Sequence, residues 1–267
     1  MFKEIKRMLR MHRIFIAQDL KKMMEYKVDF LTGAVSMLLI QAFNIAFLWI
    51  IFSQIPQLKG WSYDEIIFIY GFSLLPKALD HLFTDNLWNV GYQIVAKGDF
   101  DKYLTRPLNP LFTVIVERFQ VDALGELVVG IALIASTLGK VSIQWSVLNV
   151  VLFFLVLPFA MLIYTALKTV TAAIAFWLKR SGQITHVVYM TNEFSKYPVT
   201  IYNSFIRNII TYILPFAFTA FYPASYFLTG ENILFNIGMP VVMSLILMTI
   251  AVFVWNKGIS AYESAGS

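Results

Sequence analysis

The sequence contains no cysteine and only three histidines, His12, His81 and His186. The absence of cysteine excludes disulfides, a thiolate nucleophile and cysteine-ligated metal sites. The histidines form no H-E-x-x-H motif, and none has a second histidine four residues away, so neither a zinc site nor histidine-based catalysis is expected. The sequence therefore predicts no metal ligands and no catalytic residues.

Charged residues are also scarce. They make up 14% of the 267 residues, whereas hydrophobic residues make up 58%. A soluble domain has about 25% charged and about 45–50% apolar residues. This composition indicates an integral membrane protein. No long hydrophilic segment remains for soluble chemistry, and no nucleic-acid partner is predicted.

Long apolar runs predict an all-α, polytopic fold, since a helix needs about 20 residues to cross a hydrocarbon core of about 30 Å. Six membrane passages are predicted, over residues 28–55, 64–95, 109–138, 144–179, 181–197 and 233–256. The second turns polar after Pro76, and the fifth leads into a segment broken by prolines. Residues 28–267 are therefore predicted to form one transmembrane domain.

Residues 1–27 predict an amphipathic helix that lies in the membrane interface. Apolar residues recur at three- and four-residue steps, and bases gather on the opposite face: Lys3, Lys6, Arg7, Arg10, Arg13 and Lys21. Each base near anionic lipids contributes roughly 1 kcal/mol to membrane binding; a tail helix facing water is the alternative. Because bases favour the cytoplasmic side, both termini are predicted to be cytoplasmic, in the plasma or inner membrane of a bacterial cell.

The chain has no nucleotide-binding motif. The stretch "GELVVGIA" at 125–132 has Ile131 where a phosphate-binding loop needs lysine, and it lies in a predicted membrane helix. A pair of helix-packing glycines is therefore the favoured interpretation. The chain is predicted to be non-enzymatic and to hold no cofactor of its own; a membrane-embedded enzyme or an ion channel is the alternative function.

Ionisable residues within the apolar runs are costly in lipid and usually face a bundle interior or an aqueous cavity. They form three clusters: Lys77, Asp80, His81 and Asp85; Glu117, Arg118, Asp122 and Glu126; and His186, Asn192, Glu193 and Lys196. The first two adjoin a predicted cytoplasmic loop, which favours solvated or ion-paired helix ends. The third cluster, with Tyr212, Pro215 and Pro223, is predicted to line a translocation path or a dimer interface.

Residues 198–229 are divided by three prolines into pieces too short to span a membrane. Broken helices at membrane depth are tolerated only where they are buried in protein or line a cavity. A re-entrant helical hairpin near the outer face is predicted, and one kinked spanning helix over 208–229 is the alternative.

The stretch "KGDFDKYLTRPLNPLF" at 97–112 predicts a short cytoplasmic helix over residues 99–106. Gly98 ends the preceding helix, Asp99 suits the N-cap, and Pro107 disfavours helical geometry at Arg106.

One face of this short helix carries Phe100, Tyr103 and Leu104, which follow at steps of three and four residues. An exposed aromatic face without a partner in its own loop favours docking to another protein. A helix that rests on lipid headgroups is the alternative.

Three stretches resemble the ABC-2 family of ABC-transporter permeases, in the branch related to antibiotic-resistance exporter permeases. They are "KGDFDKYLTRPLNPLF", "KYPVTIYNSFIRNIITYILPFAFTAFYPASYFLTG" and the closing "YESAGS". The resemblance runs along nearly the whole chain. It implies a cytoplasmic interface helix, six transmembrane helices, re-entrant helices over 198–229 and a coupling helix over 98–107 that docks in a groove of a separate ATP-binding subunit.

The resemblance assigns eight residues to this coupling interface: Gly98, Asp99, Phe100, Asp101, Tyr103, Leu104, Arg106 and Pro107. It implies an exporter of two permease chains, identical or paralogous, with two ATP-binding subunits that bind ATP and Mg. The aromatic content of 16% favours an amphipathic, drug-like or lipid-linked cargo, and membrane lipids are expected to surround the chain.

Overall fold

A computed structural model describes residues 13–21, 25, 27–143 and 145–264. This part of the chain is helical and has no β-strand, which confirms the predicted all-α class. The α-helices are Lys27–Gln54 (α1), Tyr63–Thr84 (α2), Asn86–Asn89 (α3), Asp101–Leu104 (α4), Pro110–Val116 (α5), Leu124–Thr137 (α6), Val147–Ala173 (α7), Ala175–Leu178 (α8), Gly182–Met190 (α9), Ser204–Asn208 (α10), Phe221–Thr229 (α11) and Met239–Ala261 (α12).

Short turns of other helical types join several of these helices. The π-type turns are Val90–Ile94, Ile209–Ile213 and Leu234–Gly238. The 3-10 turns are Val121–Ala123, Thr191–Phe194, Val199–Ile201 and Phe216–Thr219. Residues 13–21 are helical as well, whereas most of the amphipathic helix predicted over 1–27 lies outside the described residues.

Four helical stretches are long and apolar enough to cross a membrane: Leu31–Gln54, Tyr63–Thr84, Val147–Leu178 and Leu234–Ala261. A bent pair, Pro110–Val116 and Val121–Thr137, meets at 64° and could form a fifth. The passage predicted over 181–197 is not one spanning helix, because α9 has 9 residues and a helix rises 1.5 Å per residue. The described residues thus hold four or five candidate spans, and a sixth stays a prediction.

The third predicted passage, over 109–138, contains a break between α5 and α6, which meet at 64°. The helix α5 ends at Glu117, and the backbone N–H groups that follow donate to acceptors outside the helix. The Phe119 N–H donates to the Asp19 carboxylate at 2.8 Å, and the Gln120 N–H donates to the Leu82 carbonyl at 3.2 Å. These partners satisfy the backbone at the bend, which is why the break is tolerated within an apolar region.

The glycines of the "GELVVGIA" stretch serve helix packing, as the sequence predicted. A Cβ atom on Gly130 would lie 2.9 Å from the Gly71 carbonyl oxygen of α2, and one on Gly125 would lie 2.4 Å from the Met37 side chain of α1. The missing side chain of Gly130 lets α6 approach the α2 backbone closely, and that of Gly125 leaves room for the Met37 side chain of α1.

The segment 198–229 forms two short helices separated by an irregular break. After α10, the helical path ends at Leu214 and Pro215, and Ala220 has φ −138° and ψ −75° before α11 begins. Phe216 and Phe218, within the break, are fully buried. A continuous kinked helix over 208–229 is therefore not formed, and the re-entrant position of the two helices stays a prediction.

Candidate functional site

The coupling segment, defined here as residues 98–107, begins at a backbone position suited to glycine. Gly98 has φ +76°, in the left-handed region that glycine enters without steric cost. The helix α4 that follows is one turn long, and its N-cap is Phe100 without a side-chain cap. The predicted two-turn helix and the predicted N-cap at Asp99 were therefore wrong, because a turn from Gly98 to Asp101 replaces the first helical turn.

The aromatic face of the coupling segment was predicted to be exposed, and it is buried within the chain itself. The Phe100 ring centroid lies 4.7 Å from that of Phe176 in α8 and 6.0 Å from that of Trp255 in α12. The Tyr103 hydroxyl donates to the Glu117 carboxylate beyond α5. Burial raises the pKa of Tyr103, and the adjacent Glu117 raises it further. These aromatic side chains anchor the segment and are not available to a partner.

The coupling segment also has an open face. Leu104 belongs to it and not to the buried aromatic face on which helical spacing had placed it, because Leu104 is 44% exposed whereas Phe100 and Tyr103 are buried. The other exposed residues in this stretch of the chain are Lys97, Asp99, Lys102, Thr105 and Pro107. The Lys102 and Arg106 side chains each lie 3.7 Å from the Glu117 carboxylate, on the flank of this face. A leucine surrounded by charged and polar groups, on a turn that is anchored from behind, is a surface that a second protein can contact.

A second constellation lies inside the helix bundle and centres on Lys168 of α7. Its side chain is fully buried, and its Nζ atom lies 2.7 Å from Asp80 and 3.1 Å from Asp85. The Thr84 and Thr165 hydroxyls donate to Asp80 at 2.6 and 3.0 Å. The interpretation of this cluster as solvated helix ends was wrong for Asp80, because its side chain has no exposed surface. The ion-paired alternative describes it correctly.

The buried group continues from Asp80 through Tyr189 of α9 to α6. The Tyr189 hydroxyl lies 3.2 Å from Asp80 and 2.8 Å from His81 Nε2. His81 Nδ1 lies 2.9 Å from the Glu126 carboxylate. The first two sequence clusters are thus joined directly through His81 and Glu126, and the Tyr189 hydroxyl, which the sequence did not single out, bridges Asp80 and His81 within the first.

Lys77 links this group to the third cluster. Its Nζ atom lies 3.9 Å from Glu126 and 3.7 Å from Glu193. Glu193 pairs with Lys196 at 2.6 Å, and Lys196 donates to the Asn44 side chain of α1 at 3.1 Å. We call the connected side chains the polar network: Asn44, Lys77, Asp80, His81, Asp85, Glu126, Lys168, Tyr189, Glu193 and Lys196.

Part of the polar network lines a cleft between α1, α2 and the turn after α9. Its lining includes Asn44, Lys77, Asn192, Glu193 and Lys196. Three of the predicted path residues, Asn192, Glu193 and Lys196, are therefore brought together, and they meet groups from two other helices.

The remaining predicted path residues lie elsewhere. His186 is exposed beside Trp88, with ring centroids 6.4 Å apart. Tyr212 is exposed, and Pro215 and Pro223 are buried outside the lining of the cleft. Proximity along the chain suggested a common role, but none of these four residues lines the cleft.

Lys168 is the main residue that sequence reasoning missed. It stands alone in the apolar run "AMLIYTALKTVTAAIAF", and a lone lysine within a predicted span signals a buried partner. Among the described residues, no group of three or more metal-ligating side chains could hold an ion.

Comparison with known proteins identifies the chain at the level of its family. No curated protein and no solved structure matches it. The model of a family described as ABC-2 family transporter protein matches residues 38–266. This match covers most of the chain, including the coupling segment and the polar network. The chain is therefore a multi-pass transmembrane permease of the ABC-2 transporter family.

Proposed function

We propose that the chain is the permease subunit of an ATP-driven exporter, powered by a separate ATP-binding subunit. The observation that carries this proposal is the coupling segment within the family match: it is anchored to α8 and α12 on one side and presents Leu104 on the other. A rigidly mounted protrusion can transmit a push, whereas a loose loop would absorb it.

The proposed assembly contains two permease chains and two ATP-binding subunits, which bind ATP and Mg. The helix α1 is an argument for a second permease chain because most of its surface is uncovered: only 11% of its most apolar stretch is buried. Exposed side chains such as Leu39, Phe43 and Trp49 are suited to a second permease chain or to lipid tails. Both termini would be cytoplasmic in the plasma membrane of a bacterial cell.

The proposed cargo is amphipathic, drug-like or lipid-linked. The cleft between α1 and α2 supports this class because it places Lys77, Glu193 and Lys196 beside Ile40 and the apolar surface of α1. A cargo with a polar head and an apolar tail could contact both. In the proposed cycle, closure of the ATP-binding subunits displaces the coupling segments and shifts the equilibrium between two arrangements of the permease pair.

The test uses Leu104→Ala in a complex of this chain with the ATP-binding subunit that co-purifies with it. We expect the stimulation of ATP hydrolysis by the permease to fall by about fivefold or more, the lower end of usual coupling energies. Leu138→Ala is the matched control, because Leu138 is 43% exposed against 44% for Leu104 and lies outside the coupling segment. Unchanged stimulation in Leu104→Ala would remove the coupling assignment.

A further inference from the structure

The last three described residues, Tyr262–Ser264, follow the end of α12 at Ala261. We call them the C-terminal strap. All three contact the end of the bundle that is predicted to be cytoplasmic, and two of them, Tyr262 and Ser264, contact the coupling segment directly.

Tyr262 packs its ring against the buried side of the coupling segment. Its centroid lies 5.3 Å from Phe100 at an interplanar angle of 71° and 5.9 Å from Phe176 at 75°. Both are edge-to-face arrangements, the geometry that aromatic pairs prefer. Phe100 is therefore enclosed by rings from α8, from α12 and from the strap.

The two residues after Tyr262 add polar contacts. The Ser264 hydroxyl donates to the Asp101 carboxylate of α4 at 2.6 Å. The Glu263 carbonyl accepts from Lys179 Nζ, just after α8, at 2.8 Å. The strap thus joins the coupling segment, α8 and α12 at one place.

The coupling segment needs such external contacts to be stiff. Its helix α4 has four residues, and isolated helices shorter than about 12 residues are marginal in water. Gly98, at its start, adds backbone freedom. A force on Leu104 would therefore deform the segment unless neighbouring elements hold it.

We propose that the C-terminal strap fastens the coupling segment to α12, so that displacement by the ATP-binding subunit reaches the transmembrane helices. This inference rests on the proposed function and adds the path along which the displacement travels. The path runs from α4 through Asp101 and Phe100 to the strap, from the strap to α12, and from α12 to α7, along which α12 packs. Tyr262 and Ser264 are positioning residues in this route.

The first experiment uses Tyr262→Ala and Ser264→Ala in the complex with the co-purifying ATP-binding subunit. We expect the subunit to remain bound while the stimulation of ATP hydrolysis falls by about fivefold or more in Tyr262→Ala, and to a smaller extent in Ser264→Ala. Tyr262→Phe keeps the ring and should retain coupling. Ser260→Ala is the control for Ser264→Ala, because Ser260 is exposed and donates only to its own helix, to the Asn256 carbonyl.

A second experiment tests the route if Tyr262→Ala folds poorly. The chain has no cysteine, so Asp101→Cys with Ser264→Cys introduces a single possible cross-link in the Tyr262→Ala background. Oxidation should raise the stimulation of ATP hydrolysis by about fivefold or more, and reduction should remove this gain. Asp101→Cys with Ser260→Cys should show no such rescue.

The outcomes separate this inference from the proposed function. Wild-type coupling in both alanine variants would overturn the strap alone. Loss of the bound ATP-binding subunit in Tyr262→Ala would also overturn it, since the strap would then serve docking and not transmission. A cross-link that forms without rescue has the same consequence. A wild-type complex without any stimulation would overturn the proposed function, and the strap with it.

Discussion

Replacing Lys168 by methionine tests whether the polar network holds the bundle together. Methionine keeps the length and most of the volume of the side chain but removes the charge. Lys168 is fully buried, 2.7 Å from Asp80 and 3.1 Å from Asp85. The variant therefore leaves one wholly buried and one partly exposed carboxylate without their cation.

The magnitude follows from the burial of these two carboxylates. Removing one partner of a buried ion pair costs about 3–5 kcal/mol, because the remaining charge is left uncompensated. The Asp80 side chain is fully buried, whereas that of Asp85 is 23% exposed, so Asp80 dominates the cost. Two threonine hydroxyls still donate to Asp80. We therefore expect the lower end, about 3 kcal/mol, which is roughly a hundredfold change in the folded to unfolded ratio.

The assay is denaturant unfolding in detergent micelles, followed by tryptophan fluorescence. Lys257→Met is the control, because Lys257 lies on the exposed surface of α12, and it should change the free energy of unfolding by less than about 0.5 kcal/mol. Adding Asp80→Asn to Lys168→Met should recover part of the loss, since the uncompensated charge is removed. If Lys168→Met is as stable as Lys257→Met, the network does not stabilise the fold and this reasoning is refuted.

Two further variants test the helix contact and the cleft. Gly130→Ala should lower the free energy of unfolding by about 1–3 kcal/mol through overpacking, because its Cβ would lie 2.9 Å from the Gly71 carbonyl oxygen. Gly139→Ala should not, because a Cβ there meets no atom within 4 Å. Equal unfolding midpoints of the two variants would contradict the close approach. Glu193→Gln with Lys196→Gln should leave assembly intact and alter cargo-stimulated ATP hydrolysis, since both residues line the cleft. Unchanged transport in a proteoliposome assay would leave this pair with a structural role alone, and loss of assembly would point to the dimer interface.

The sequence alone determined the properties that depend on composition and on neighbours along the chain. The apolar composition indicated a membrane protein, and apolar runs predicted spans close to the helices α1, α7 and α12. Gly98 marked the start of the coupling segment. These predictions succeed because solvation, helix length and backbone freedom are local properties of a segment.

Only the tertiary structure decided what covers each face. Helical spacing placed Phe100 and Tyr103 on one side of a turn. It could not predict that Phe176 and Trp255 pack against that side, because those rings come from distant parts of the chain. For the same reason, Lys168 could be recognised as an anomaly but not as the partner of Asp80. A buried charge requires a counter-charge, yet its position in sequence is set by how the helices pack, and that packing depends on the whole bundle.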